Sequence, residues 1–185
     1  MGCPFRPSGE NLYSFPYPAV GPASGGESML LLCAFVVGIV AGLRSMTAPA
    51  VTSWCAHLGI LVVAGTPLAW MGSRTAVIVL TLLALVELIV DKLPSTPSRK
   101  SPPGFIARIA TGALCGATLG AAGHALGASV VAGVACGIVG AIAGTFGGAA
   151  VRGKLAAAFH RDFPAALLED AAAILIAVFA ILKLR

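Results

Sequence analysis

Residues 109–151 read IATGALCGATLGAAGHALGASVVAGVACGIVGAIAGTFGGAAV, a stretch with no Asp, Glu, Lys or Arg and with many glycines. The hydrocarbon core of a bilayer takes roughly 20 apolar residues per helix. The stretch therefore reads as two membrane spans joined by a tight turn at Ala122-Gly123-His124-Ala125-Leu126-Gly127. That reading makes the chain an integral membrane protein and removes most soluble-enzyme classes.

Composition agrees. The 185 residues are 58% hydrophobic and 10% charged, with 23 glycines, against roughly 25% charged in a soluble domain. There is room for one membrane domain, residues 29–185. Residues 1–28 carry Pro4, Pro7, Pro16, Pro18 and Pro22 among glycines and serines and read as a disordered extension. This segment lacks the apolar core of a signal peptide. The net charge of +5 sits between apolar runs, which fits retention at the cytoplasmic face better than nucleic-acid binding. Cys3, Cys33, Cys55, Cys115 and Cys136 are widely spaced with no Cys-x-x-Cys pair, so neither a metal site nor a disulfide is expected. No cofactor-binding motif, serine elbow or phosphate loop is visible, and no enzyme activity is expected.

Working outward, the sequence predicts an all-α bundle of five spans: Met29 to Arg44, Thr75 to Leu93, Phe105 to Ala121, Ala128 to Gly148, and Pro164 to Leu182. The uncharged piece from Thr47 to Gly72 is divided by Pro49, Gly59, Gly65 and Pro67. It reads as a short helix at the membrane surface with Trp54 and Trp70 at headgroup depth; a sixth span or a re-entrant loop stays open. Lys92, Arg99, Lys100 and Arg108 lie between spans two and three, and Arg152, Lys154 and Arg161 between spans four and five. Both loops fall on one side, placed in the cytoplasm by the positive-inside rule, and a bacterial inner membrane is the expected location.

Gly112, Gly116 and Gly120 share one helical face, as do Gly140, Gly144 and Gly148, which continue from Gly133 and Gly137. Small residues let helix backbones approach closely in lipid. The stripes read as packing surfaces between spans three and four or between two copies of the chain. A backbone-lined pore is the functional alternative, but the stripes carry no polar group to coordinate an ion.

Charged side chains at mid-bilayer cost about 2.5 to 3.5 kcal/mol on insertion scales and usually face a partner or a wet cavity. Glu87 and Asp91 lie four residues apart on one face of span two, and Glu169 and Asp170 enter span five. By the orientation above, both pairs fall toward the cytoplasmic end and could meet, with Lys92, Arg99, Arg152 and Arg161 as partners. Crowded carboxylates in a low dielectric can exchange protons near neutral pH. The bland reading is an ion-paired lock between helix ends. Glu87, the deepest of the four, is the expected centre of a functional site. Arg44 closes span one beside a glycine-and-proline break, Gly42-Leu43-Arg44-Ser45-Met46-Thr47-Ala48-Pro49. It either holds an anionic group bidentately or snorkels to the interface. The loop around Arg99 and Lys100 could clasp an anionic headgroup or serve as a plain basic turn.

Three segments carry a resemblance: Gly42-Leu43-Arg44-Ser45 with Thr47-Ala48-Pro49, then Glu87-Leu88-Ile89-Val90-Asp91-Lys92-Leu93-Pro94, then Gly144-Thr145-Phe146-Gly147-Gly148. Together they resemble the bacterial membrane proteins grouped as domain-of-unknown-function family 4126, from about Met29 onward. That resemblance implies a bacterial inner-membrane protein and no particular activity. The stretch from Glu87 to Lys92 is also similar to the Glu-x-Gly-Asp-Lys motif of cation/proton exchangers. It departs from that motif in spacing, with acids four apart rather than three, and in lacking the glycine.

The functional expectation is a small transporter or channel-like protein that passes protons or a cation at Glu87. Asp91, Glu169, Asp170 and Lys92 would assist, and Arg44 would gate or counter-charge the site. The alternative is a scaffold or anionic-lipid-binding protein held together by its glycine stripes. Membrane lipid, a small ion and a second copy of the chain are the expected partners, and nucleic acid is not.

Overall fold

A computed structural model describes residues 24–91, 102–122, 128–159 and 162–182. Among these residues, six helices form: α1 (Ser24–Leu43), α2 (Thr47–His57), α3 (Arg74–Val90), α4 (Pro102–Ala122), α5 (Ala128–Phe159) and α6 (Asp162–Leu182), with a 3-10 turn at Ala69–Gly72 before α3. There is no strand among the described residues, so the all-α expectation holds. Pro102–Ala122 and Ser129–Leu155 are long and apolar enough to cross a membrane, whereas Glu27–Leu43 and Asp170–Ala180 are apolar but shorter. Of the five expected spans, two therefore reach crossing length within the described residues. The basic loop with Lys92, Arg99 and Lys100, the turn at 123–127 and Arg161 lie outside those residues.

Two boundaries differ from the sequence expectation. α1 begins at Ser24, inside the segment expected to be an extended tail, and carries Glu27 in its first turn, where an acid suits the positive end of the helix dipole. α5 runs on to Phe159, so Arg152 and Lys154 are helical and not in a loop. Residues 149–159 include no proline and several alanines, and nothing there stops propagation. At about 1.5 Å per residue, α5 is longer than a bilayer core is thick.

Glycine sets the spacing of the bundle. A Cβ on Gly116 would lie 2.1 Å from the carbonyl oxygen of Gly133, and one on Gly120 would lie 2.4 Å from that of Ser129. α4 and α5 are therefore in backbone-to-backbone contact, as the stripes predict. The other face of α5 does the same against α1: Cβ atoms on Gly140 and Gly144 would meet the carbonyl oxygens of Phe35 and Ile39 at 2.2 Å. Gly140 and Gly144 of the second stripe thus pack on α1 of the same chain.

The core gathers Cys33, Val37, Val40 and Ala41 of α1 with Cys115 and Leu119 of α4, and Ala173 and Ala177 of α6. α2 enters this core. Thr47, Ala48, Pro49, Ala50, Thr52, Ser53 and Cys55 are buried, while Trp54 stays 44% exposed. With 11 residues α2 is too short to cross a bilayer. It packs against α1, α3, α4 and α6, deeper than a helix lying on a surface would. Gly59 (φ 74°) ends it, with Ile60 N–H donating to the Cys55 carbonyl at 2.9 Å and Gly59 N–H to that of Ala56 at 3.3 Å. This pair of bonds is the Schellman pattern, which requires a left-handed residue that glycine supplies without strain.

The chain then returns to α3. Ser53 Oγ donates to the Met71 carbonyl at 2.5 Å, and Trp54 Nε1 donates to Thr81 Oγ1 at 3.0 Å. Ser73 caps α3 by accepting from Ala76 N–H at 3.1 Å. α3 packs chiefly on α2 and the 3-10 turn, and Ile78, Leu82, Leu85 and Ile89 stand exposed along it.

Candidate functional site

The site forms where α1 stops. Arg44 N–H makes a last helical bond to the Val40 carbonyl at 2.7 Å, and α2 starts at Thr47. Such a break exposes carbonyls at the end of one helix and N–H groups at the start of the next. Each set finds a partner. Thr145 Oγ1 of α5 donates to the Gly42 carbonyl at 3.3 Å and to Ala141 of its own helix at 2.8 Å. At the other end, Glu87 of α3 takes the freed donors: its Oε1 accepts from Ser45 N–H at 2.8 Å and from Ser45 Oγ at 2.6 Å, and its Oε2 accepts from Met46 N–H at 2.9 Å. The carboxylate also faces the positive end of α2. No side chain of α2 caps its own N-terminus; Glu87 does so from another helix.

Arg44 itself is 1% exposed. Its Nη1 donates to Asp91 Oδ2 at 3.1 Å and to the Glu87 carbonyl at 3.5 Å, and its Nη2 pairs with Asp170 Oδ1. Asp91 is the C-terminal cap of α3, where a negative charge opposes the helix dipole, and the guanidinium offsets that cost. Asp170, 6% exposed, comes from the interior of α6. One cation thus joins three chain segments at the break. A guanidinium suits this because its donors form a planar fork that can serve several acceptors at once.

Four of the expected site residues, Arg44, Glu87, Asp91 and Asp170, therefore meet in one place. The acids pair with Arg44 and with backbone N–H groups, where the sequence pointed to loop cations. Glu169 precedes Asp170 on α6, and its side chain lies outside the described residues, as do Lys92, Arg99 and Lys100. Ser45 and the Met46 amide were missed from the sequence. The signal for them was the break itself: amides freed there need an acceptor, and Glu87 is the deep carboxylate. Among the described residues, no three of His, Cys, Asp and Glu converge to hold a metal ion. Arg44 sits between Asp91 and Asp170 and keeps them from closing on one point.

Within the cluster of Arg44, Glu87, Asp91 and Asp170, negative charge is in excess. Arg44 pairs with the carboxylates of Asp91 and Asp170 and touches Glu87 only at its backbone carbonyl, and two buried atoms of the cluster have no hydrogen-bond partner: Arg44 Nε and Asp170 Oδ2. Glu87 is compensated by its three donors and by the α2 dipole. The excess negative charge falls on the two aspartates that share Arg44.

The family described as Domain of unknown function (DUF4126) matches residues 31–183, and the chain belongs to that family. No curated protein and no solved structure matches it.

Proposed function

We propose that this member of the family is a small multi-pass protein of the bacterial inner membrane that moves protons or a cation through the broken-helix site between α1 and α2. In this reading α1, α3, α4, α5 and α6 cross the bilayer, and α2 is a re-entrant half-helix. Support for the membrane comes from the exposed apolar surface: Val131, Val139, Phe146 and Val151 of α5, Leu175 and Phe179 of α6, and most of α3. A soluble monomer rarely carries a contiguous apolar surface of that extent. The basic residues expected in the loops orient both acid pairs toward the cytoplasm.

The observation that carries the transport reading is a buried arginine paired with two carboxylates at a discontinuous helix whose freed amides a third carboxylate, Glu87, takes up. In secondary transporters, half-helix ends at such breaks hold the substrate ion. The sequence centres the function on Glu87. The hydrogen bonds favour a different division of labour, in which Glu87 holds the break together and Asp91 and Asp170, sharing Arg44, handle the charge. The test is proton flux in proteoliposomes under an imposed potential. Asp91→Asn is expected to reduce flux severalfold; flux by the wild type no faster than in empty vesicles would falsify the reading.

A scaffold or lipid-binding role is the second reading. It draws on the exposed apolar run of α3, which lipid or a second copy of the chain would cover. The glycine stripes do not favour it, since they are consumed by contacts inside the chain. Co-purified lipid or a stable dimer, with no flux, is the outcome that would select it.

A further inference from the structure

We propose that Oδ2 of Asp170 is the atom at which this site takes up and releases a proton. This deepens the reading of the cluster as an ion-handling site and rests on it. The two oxygens of Asp170 are inequivalent: Oδ1 pairs with Arg44 Nη2, while Oδ2 is buried with no hydrogen-bond partner. A bare carboxylate oxygen in that position is costly, and a neutral hydroxyl loses much less. The proton adds to Oδ2 from water, Arg44 stays charged, and the excess of the four-residue cluster falls by one negative charge. A single lone pair suffices for a proton, whereas a metal ion needs several ligands converging on one point.

The electrostatic surroundings bear on which acid takes the proton. α6 packs against α1, α2 and α5. The break between α1 and α2 presents Arg44, and α3 brings the Asp91 carboxylate and the Glu87 backbone carbonyl to the same guanidinium. α2 adds no charged side chain, His57 being its last residue. α5 has Arg152 and Lys154 as its charged residues, and Glu169 precedes Asp170 in the chain. Glu87 already accepts three hydrogen bonds. Asp91 is 19% exposed and can reach water. Asp170 alone among the three combines burial with an unused acceptor.

The sequence has three aspartates, Asp91, Asp162 and Asp170, so infrared spectroscopy can assign the group. Full-length protein carrying 13C-carboxyl aspartate is titrated in nanodiscs while the carboxylic-acid C=O band is followed. The band is expected to show the isotope shift, to vanish as pH rises, to persist in Asp91→Asn and Asp162→Asn, and to be missing in Asp170→Asn. Persistence in the double variant Asp91→Asn/Asp162→Asn, where Asp170 is the one aspartate left, assigns it even if Asp170→Asn fails to fold. A band that survives in Asp170→Asn, or the absence of any titrating aspartic-acid band in the wild type, would overturn the proposal. A band that maps to Asp170 in a protein without flux would uphold the proton site and remove transport.

Discussion

Met46 N–H donates to Oε2 of Glu87 at 2.9 Å, so a carboxylate 41 residues further along the chain closes the first turn of α2. In Glu87→Gln one oxygen becomes an NH2 group, which faces a donor and cannot accept from it. The expected cost is about 1–3 kcal/mol for the unmet donor. The loss should appear as faster hydrogen exchange in the peptide containing Ser45 and Met46, with the rest of the bundle protected as before. Unchanged exchange there would show that Glu87 is not the cap.

Arg44 pairs with both Asp91 and Asp170. Replacing it with Leu leaves both carboxylates in a site built around a positive charge, with an expected loss of about 3–5 kcal/mol. The triple variant Arg44→Leu/Asp91→Asn/Asp170→Asn removes the charges together and should recover most of that loss. Denaturant titration in detergent micelles measures the two against the wild type. No recovery in the triple variant would mean that packing, and not charge, made the arginine necessary.

Gly137 is pressed from two sides. A Cβ there would sit 2.1 Å from the Gly112 carbonyl, and a Cβ on Gly38 would sit 2.4 Å from the Gly137 carbonyl. Gly137→Leu must separate α5 from α4, an overpacking loss of about 3 kcal/mol. Gly147 has open space around its Cβ position, and Gly147→Ala should gain up to about 1 kcal/mol from helix propensity. Thermal melting reads both, and equal effects at the two positions would contradict the contact assignment.

Burial pushes the Cys55 thiol up to about 11. Only the thiolate reacts with maleimides, so at pH 8 the folded protein should leave Cys55 unlabelled while the same chain in denaturing detergent is labelled. Labelling of the folded form should rise as the pH approaches 11. Peptide-resolved mass spectrometry checks this, and rapid labelling of folded protein at pH 8 would contradict the burial of α2.

Much of this arrangement could be read from the residues. The long uncharged tracts are helical, as the sequence predicts for segments that would need to satisfy their own backbone groups in an apolar medium. The spacing of Gly112, Gly116 and Gly120 gave the face that α4 turns to α5. The meeting of Glu87, Asp91 and Asp170 with Arg44 was legible only in part. Burial cost says that such groups need partners but not which ones, and the pairing depends on how α3 and α6 lean on the break. The role of α2 was harder still. Its buried threonine, serine and alanine look like surface residues until the α1, α4 and α6 neighbours are known. The end of α5 was misjudged because a cluster of basic residues marks a membrane boundary without ending a helix.

The seam between α1 and α5 joins Gly38 and Gly42 to residues about a hundred positions later in the chain. During synthesis the first helix leaves the ribosome long before its closest mate exists. Gly38 and Gly42 must wait uncovered while everything up to Gly144 is made. For that interval the open seam is a place where the nascent polypeptide can pair with the wrong helix.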